Sequence, residues 1–163
     1  MAHGQPFVNS NLFVYDEQRH AIYLHTARTG RARANLEEPG PVAFTAFEMG
    51  RLLPAEEALE FSVEYGGVVV FGTGRVVDDP AEAEHGLRRL LDKYAPHLRP
   101  GRDYRPITQG ELKRTSVFRI DIESWSGKRK SADSDFPGAF RYEDRRRLAA
   151  EAVEEHLDGS APS

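Results

Sequence analysis

The chain has 163 residues, a formal net charge of −4, 39% hydrophobic and 29% charged residues. That is the composition of one globular domain with a core and a polar surface, and its acidic balance argues against a general nucleic-acid binder. There is no cysteine, which excludes disulfides, thiolate metal sites and thiol nucleophiles, and the six histidines form no HxxxH pair that would suggest a metal site.

Most of the chain reads as strands. Residues 5–16 alternate, with Val8, Leu12 and Val14 on one side and Phe7, Phe13 and Tyr15 on the other. A polar turn at 16–20 leads to a second strand at 21–26, in which Ile22, Leu24 and Thr26 share one face and Tyr23 and His25 the other. A short helical turn at 31–37 precedes a third strand at 41–48. The stretch 60–79 is too long for one straight strand, and Gly66, Gly67, Gly72 and Gly74 predict a hairpin turn or bulges that bend it.

A helix follows. Asp79 suits the N-cap, Pro80 the first helical position, and Glu82 a capping-box spacing; Leu87, Leu90, Leu91 and Tyr94 form one apolar stripe, and Pro96 ends it. Residues 115–127 read as another strand, and 142–157 as a C-terminal helix before a tail expected to fray. The polar, proline-rich loops 49–58 and 97–110 are long enough to serve as lids or partner contacts. Strands of similar length around one midchain helix predict a small antiparallel barrel with added helices. No apolar run approaches the roughly twenty residues of a membrane span. The start "MAHGQPF" lacks a signal-peptide pattern, so the expectation is a cytoplasmic protein that binds neither membrane nor nucleic acid.

The chemistry concentrates in "HTARTGRARAN", residues 25–35. A strand ends at His25-Thr26, the chain turns at Gly30, and Arg31 and Arg33 follow. Guanidinium forks bind phosphate at two points, and Thr26 adds a hydroxyl. The residues alone leave a solvated turn open. Alone, His25 reads as a packed strand histidine. Asn9, Ser10 and Asn11 are three consecutive polar positions in an otherwise apolar run, suited to a heteroaromatic ligand or to a solvated edge. Trp125 either covers a ligand ring or plugs the barrel end, and Lys128 begins a basic turn. The dinucleotide, triphosphate and serine-hydrolase motifs GxGxxG, GxxxxGK[ST] and GxSxG are all absent.

In their order, "HGQPFVNSNLFVYD", "IYLHTARTGRARANL", "PVAFTAF", "VEYGGVVVFGTGRVVDD" and "TSVFRIDIESWSGK" resemble the FMN-binding split-barrel proteins related to pyridoxamine 5'-phosphate oxidase. Within that superfamily the sequence is most similar to the Nim group of 5-nitroimidazole-resistance reductases. The resemblance covers roughly residues 3–130. It implies an antiparallel, Greek-key split β-barrel over residues 1–140, with residues 141–163 as a C-terminal helix and tail.

It also implies a homodimer with FMN in clefts between the barrels. The flavin phosphate would sit on Arg31 and Arg33 beside Thr26, and the isoalloxazine ring along Asn9, Ser10 and Asn11. His25 would lie beside the substrate, and Trp125 and Lys128 of the second subunit would close the site. Where many members carry Gly-Arg-Lys, this chain has Gly30-Arg31-Ala32, so Arg33 would stand in for the lysine. The implied activity is reduction of a nitro group or another small electrophile by reduced FMN. The alternatives are a non-catalytic flavin-storage module, an oxidase of the pyridoxamine-phosphate type, and a deazaflavin reductase.

Overall fold

The computed structural model describes residues 6–158. Of the tail expected to fray from Asp158, residues 159–163 lie outside the described residues, as do His3 and Gly4. Strands β1 (Phe13–Asp16) and β2 (Ala21–Ala27) form the expected hairpin, with Phe13 opposite Leu24 and Asp16 opposite Ala21. Strand structure does not extend over all of 5–16. Residues 6–12 pair with no strand, and Val8 and Leu12 are exposed. Alternation marks which side chains could share a face, but a strand needs a partner. The β1–β2 ladder ends at Phe13–Leu24, while on its other edge the whole of β2 pairs with residues 115–121.

Helix α1 (Arg31–Asn35) is shorter than the expected 31–37, because Leu36 leaves helical geometry as its C-cap. Strands β3 (Gly40–Leu53), β4 (Ser62–Val76), β5 (Thr115–Lys130) and β6 (Phe140–Arg141) complete a six-stranded antiparallel sheet in the order β1-β2-β5-β4-β3-β6. Two expectations change here. Residues 49–53 belong to β3 rather than to a loop, and β4 runs for 15 residues without a hairpin turn. Its glycines mark close approaches instead. A Cβ on Gly72 would lie 2.0 Å from the carbonyl oxygen of Asp121 on β5. Gly72→Ala should therefore force the two strands apart and cost about 2 kcal/mol, read as a lowered urea midpoint.

The chain divides into two compact units. The first comprises residues 1–44 and 70–125, the second 45–69 and 126–163. The core of the first unit gathers Val14, Ala21, Tyr23, Val77, Ala83, Leu90 and Val117. Over it lies α2 (Pro80–Tyr94), begun by Asp79, whose carboxylate accepts from Glu82 N at 2.9 Å. The expected reciprocal half of that capping box is missing, because the Glu82 carboxylate turns inward. Its Oε1 accepts from Tyr23 OH and Arg119 Nη1, each at 2.8 Å, and its Oε2 from Arg75 Nη2 at 3.0 Å. Burial pushes the Glu82 carboxyl up, but the bonds from Arg119, Tyr23 and Arg75 outweigh it and hold it down at about 2. A second anchor joins α2 to β1: His85 Nε2 meets the buried Asp16 carboxylate at 2.5 Å.

In the second unit, Arg51 of β3 grips Glu64 of β4 through Nε and Nη2 at 2.9 and 2.8 Å. Arg51 also donates to the carbonyls of Asp133 and Ser134, at 2.8 and 2.9 Å. The Arg51 side chain, together with the backbone N–H groups of Ala132 and Arg51, holds the Glu64 carboxyl well below the usual carboxylate range. Helix α4 (Arg145–Asp158) follows a 3-10 turn at Tyr142–Asp144. No described helix is long and apolar enough to cross a membrane.

Candidate active site

The end of β2 and the turn after it organise the first unit's chemistry. Gly30 has a φ of 139°, a backbone angle that side chains disfavour, so glycine is suited to the position that starts α1. The turn delivers Arg31 to the surface and leaves Arg33 half-buried. Arg33 Nη1 donates to Ser116 Oγ at 3.1 Å, and Ser116 Oγ donates to the Arg28 carbonyl at 3.5 Å. Ser116 is 1% exposed and lies directly opposite Thr26 in the β2–β5 register. Thr26, Arg33 and Ser116 therefore converge at one end of the strand pair. The Thr26 hydroxyl donates to the Ala27 carbonyl at 2.9 Å, and the Arg31 guanidinium stands 4.8 Å over the Phe7 ring. Sequence reasoning misses Ser116, because its contact with Arg33 joins positions 83 apart.

His25 pairs in register with Val117, and its side chain is exposed rather than packed. On its face of β2, Tyr23 is fully buried under α2, with Gly86 against its ring. Further along α2, the stripe seen in the sequence runs from the buried Leu90 out to the exposed Tyr94. Leu87, Leu90, Leu91 and Tyr94 join His25 and Leu12 around a cavity of about 450 Å³. That volume lies within the ~300–1,000 Å³ common for small-molecule sites. The remaining wall comes from Tyr104, Arg105, Ile107 and Glu111. The 97–110 stretch thus lines a cavity, and it runs into a short helix that the sequence reading lacks, α3 (Gln109–Leu112). A Thr108–Glu111 capping box starts α3, and Arg105 Nη2 bonds Glu111 Oε1 at 2.8 Å. The cavity therefore has an aliphatic lining, one imidazole, two phenols and one ion pair.

The remaining candidates are not all brought to this cavity. Asn9, Ser10 and Asn11 are exposed, in irregular chain just before Leu12. Trp125 sits on β5 beyond the segment that pairs with β2. It is 63% exposed, which overturns the reading of a core plug. Lys128 belongs to the second unit, its Nζ 5.7 Å over the Tyr65 ring, in a notch with Thr45, Gly67 and Gly127. Among the described residues, no cluster of histidine and carboxylate side chains could hold a metal ion.

The sequence profile of the pyridoxamine 5'-phosphate oxidase family matches residues 1–129. The chain belongs to this family. Its sheet is the split-barrel type expected of the family: mainly antiparallel, unclosed in strand order, with a few helices. Among solved structures, the flavocytochrome Anf3 from Azotobacter vinelandii is 25% identical with a TM-score of 0.66, over 87% of this chain and 70% of that one. The FAD and heme binding protein from Mycobacterium smegmatis is also 25% identical, with a TM-score of 0.59 over 78% of this chain and 60% of that one. A proposed 5-nitroimidazole antibiotic resistance protein from Bacteroides thetaiotaomicron shares the fold at 16% identity, with a TM-score of 0.54 over 76% and 69% of the two chains. No curated protein matches the chain.

Proposed function

We propose that the chain is a flavin-dependent reductase that binds FMN and passes its electrons to a nitro group or another small electrophile held in the His25 cavity. One observation carries the reading. A family-type arginine turn and an apolar cavity lie on adjacent positions of one strand, Thr26 toward Arg33 and His25 in the cavity wall. The donor set fits a flavin: two guanidinium groups for the phosphate, with Ser116 orienting one of them, and the exposed segment Asn9–Asn11, which has no strand partner, for the ring edge. A bound flavin supplies the redox chemistry. Arg31 and Arg33 hold the phosphate, with Ser116 fixing Arg33. The leucines and Ile107 exclude water. His25 orients the substrate and donates a proton to its reduced oxygen, a role for which imidazole is suited near neutral pH.

The working form on this reading is a homodimer in which Trp125 and Lys128 of the second subunit close the site. Large apolar side chains left exposed in each unit support it: Phe71 and Trp125 in the first, Phe47 and Phe61 in the second.

The same cavity favours a second reading. A histidine in an aliphatic chamber with an arginine at its wall is also a donor set for haem iron and a propionate, and the flavocytochrome and the FAD and heme binding protein are both 25% identical to this chain. The two readings separate on His25→Ala. If the cavity takes substrate, the variant keeps wild-type flavin affinity and loses about 100-fold in anaerobic reoxidation of the reduced protein by a nitroimidazole. If it takes haem, the wild type purifies with a Soret band that the variant loses. Wild-type reoxidation no faster than that of free flavin would leave a flavin-storage module.

A further inference from the structure

Building on the flavin reading, we propose that Tyr94 is a positioning residue that sets the Asn9–Leu12 segment against the His25 cavity. The chain enters β1 at Phe13, and α2 engages both backbone polar groups of that residue. Phe13 N donates to Tyr94 OH at 3.2 Å, and Tyr94 OH donates back to the Phe13 carbonyl at 3.0 Å. Lys93 Nζ donates to the same carbonyl at 2.8 Å and stands 3.6 Å over the Phe13 ring. β1 is an outer strand of the sheet, so a second strand is not there to take these groups. The clasp is placed where it controls the segment ahead of it. Asn9, Ser10 and Asn11 have no strand partner of their own, so the position of Phe13 fixes where they begin.

The Tyr94 ring also lines the cavity beside Leu12 and His25. One phenol thus links three parts: the backbone that leads into the ring-binding segment, the cavity wall, and α2. Its two-point bond is directional, since a donor and an acceptor in fixed positions allow one placement of the Phe13 peptide. The Lys93 contact is a charge on a flexible stem and supplies attraction with less direction.

Tyr94→Phe keeps the ring in the cavity wall and removes the clasp, while Lys93 still docks α2 on Phe13. With full-length protein titrated with FMN, the variant should bind about tenfold more weakly, the loss of one net hydrogen bond. The visible circular dichroism of its bound flavin should also change, with far-UV dichroism as in the wild type. Lys93→Met should lower the urea midpoint yet leave the visible dichroism of the flavin unchanged. Wild-type affinity and visible dichroism in Tyr94→Phe would overturn the positioning role, as would an equal change in Lys93→Met. A wild-type protein that takes up no flavin would overturn the flavin reading and this role with it, whereas flavin-binding wild type beside an unaffected Tyr94→Phe would remove the role alone.

Discussion

A protein carrying Arg31→Ala and Arg33→Ala together is expected to lose flavin binding almost entirely while keeping its fold. Each guanidinium makes charge-assisted bonds to phosphate worth about 1.5–3 kcal/mol, so the pair carries about 3–6 kcal/mol, a loss of 100-fold or more in affinity. The two single variants should differ. Arg33 is half-buried and tied to Ser116 at 3.1 Å, so it is pre-oriented, whereas Arg31 is exposed and rests over Phe7. Pre-orientation reduces the ordering needed on binding. Arg33→Lys should therefore recover less than Arg31→Lys, because a lysine at 33 keeps the charge but loses the planar fork that meets Ser116. Fluorescence titration with FMN measures all of these variants. Equal affinities for the wild type and the double variant would remove the turn from the site.

The second large effect concerns stability. Glu82→Gln should destabilise the protein by about 3 kcal/mol at neutral pH. It removes the anion that Arg19, Arg75 and Arg119 surround, with the Glu82 side chain only 14% exposed. The pH dependence has a definite sign. The Glu82 carboxyl is held down at about 2 in the folded chain against an ordinary 4.5. Its contribution is therefore fully present above the ordinary value and is lost as pH falls from there toward 2. Asp16 acts in the same direction. Burial raises its carboxyl, but the bonds from His85 and from the Arg19 backbone N–H lower it on balance. Urea midpoints for wild type and Glu82→Gln should lie far apart at pH 7 and draw together near pH 2.5. A gap that stays constant over that range would mean that the carboxylate charge is not what Glu82 contributes.

Much of the site could be read from local sequence. Asp79, Pro80 and the leucine stripe define α2, because capping and helical periodicity act within a few residues. Gly30 followed by two arginines marks the turn for the same reason. What escaped depends on distant partners. Glu82 fits a capping box by spacing, yet its carboxylate serves arginines at 19, 75 and 119, and the tertiary charge pairs win over the local one. The glycines of β4 read as a bend because glycine favours turns. Only the neighbouring strand shows that Gly72 is there to admit the Asp121 carbonyl. Gly50 and Arg51 interrupt the strand pattern at residues 49–53, and these residues extend β3 where Arg51 finds Glu64 across on β4. From its strand alone His25 reads as a packing residue, and parity does place it on the face of the buried Tyr23. The cavity beside it exists because α2 covers one position of that face and stands away from the next.

Flavin binding is tested directly by the visible absorption spectrum of the purified protein, before and after titration with FMN. The two flavin bands are expected, present on purification or restored by stoichiometric FMN, and absent from the Arg31→Ala, Arg33→Ala protein. A wild-type protein that shows no flavin bands and takes up neither FMN nor FAD would rule out a flavin site in this chain.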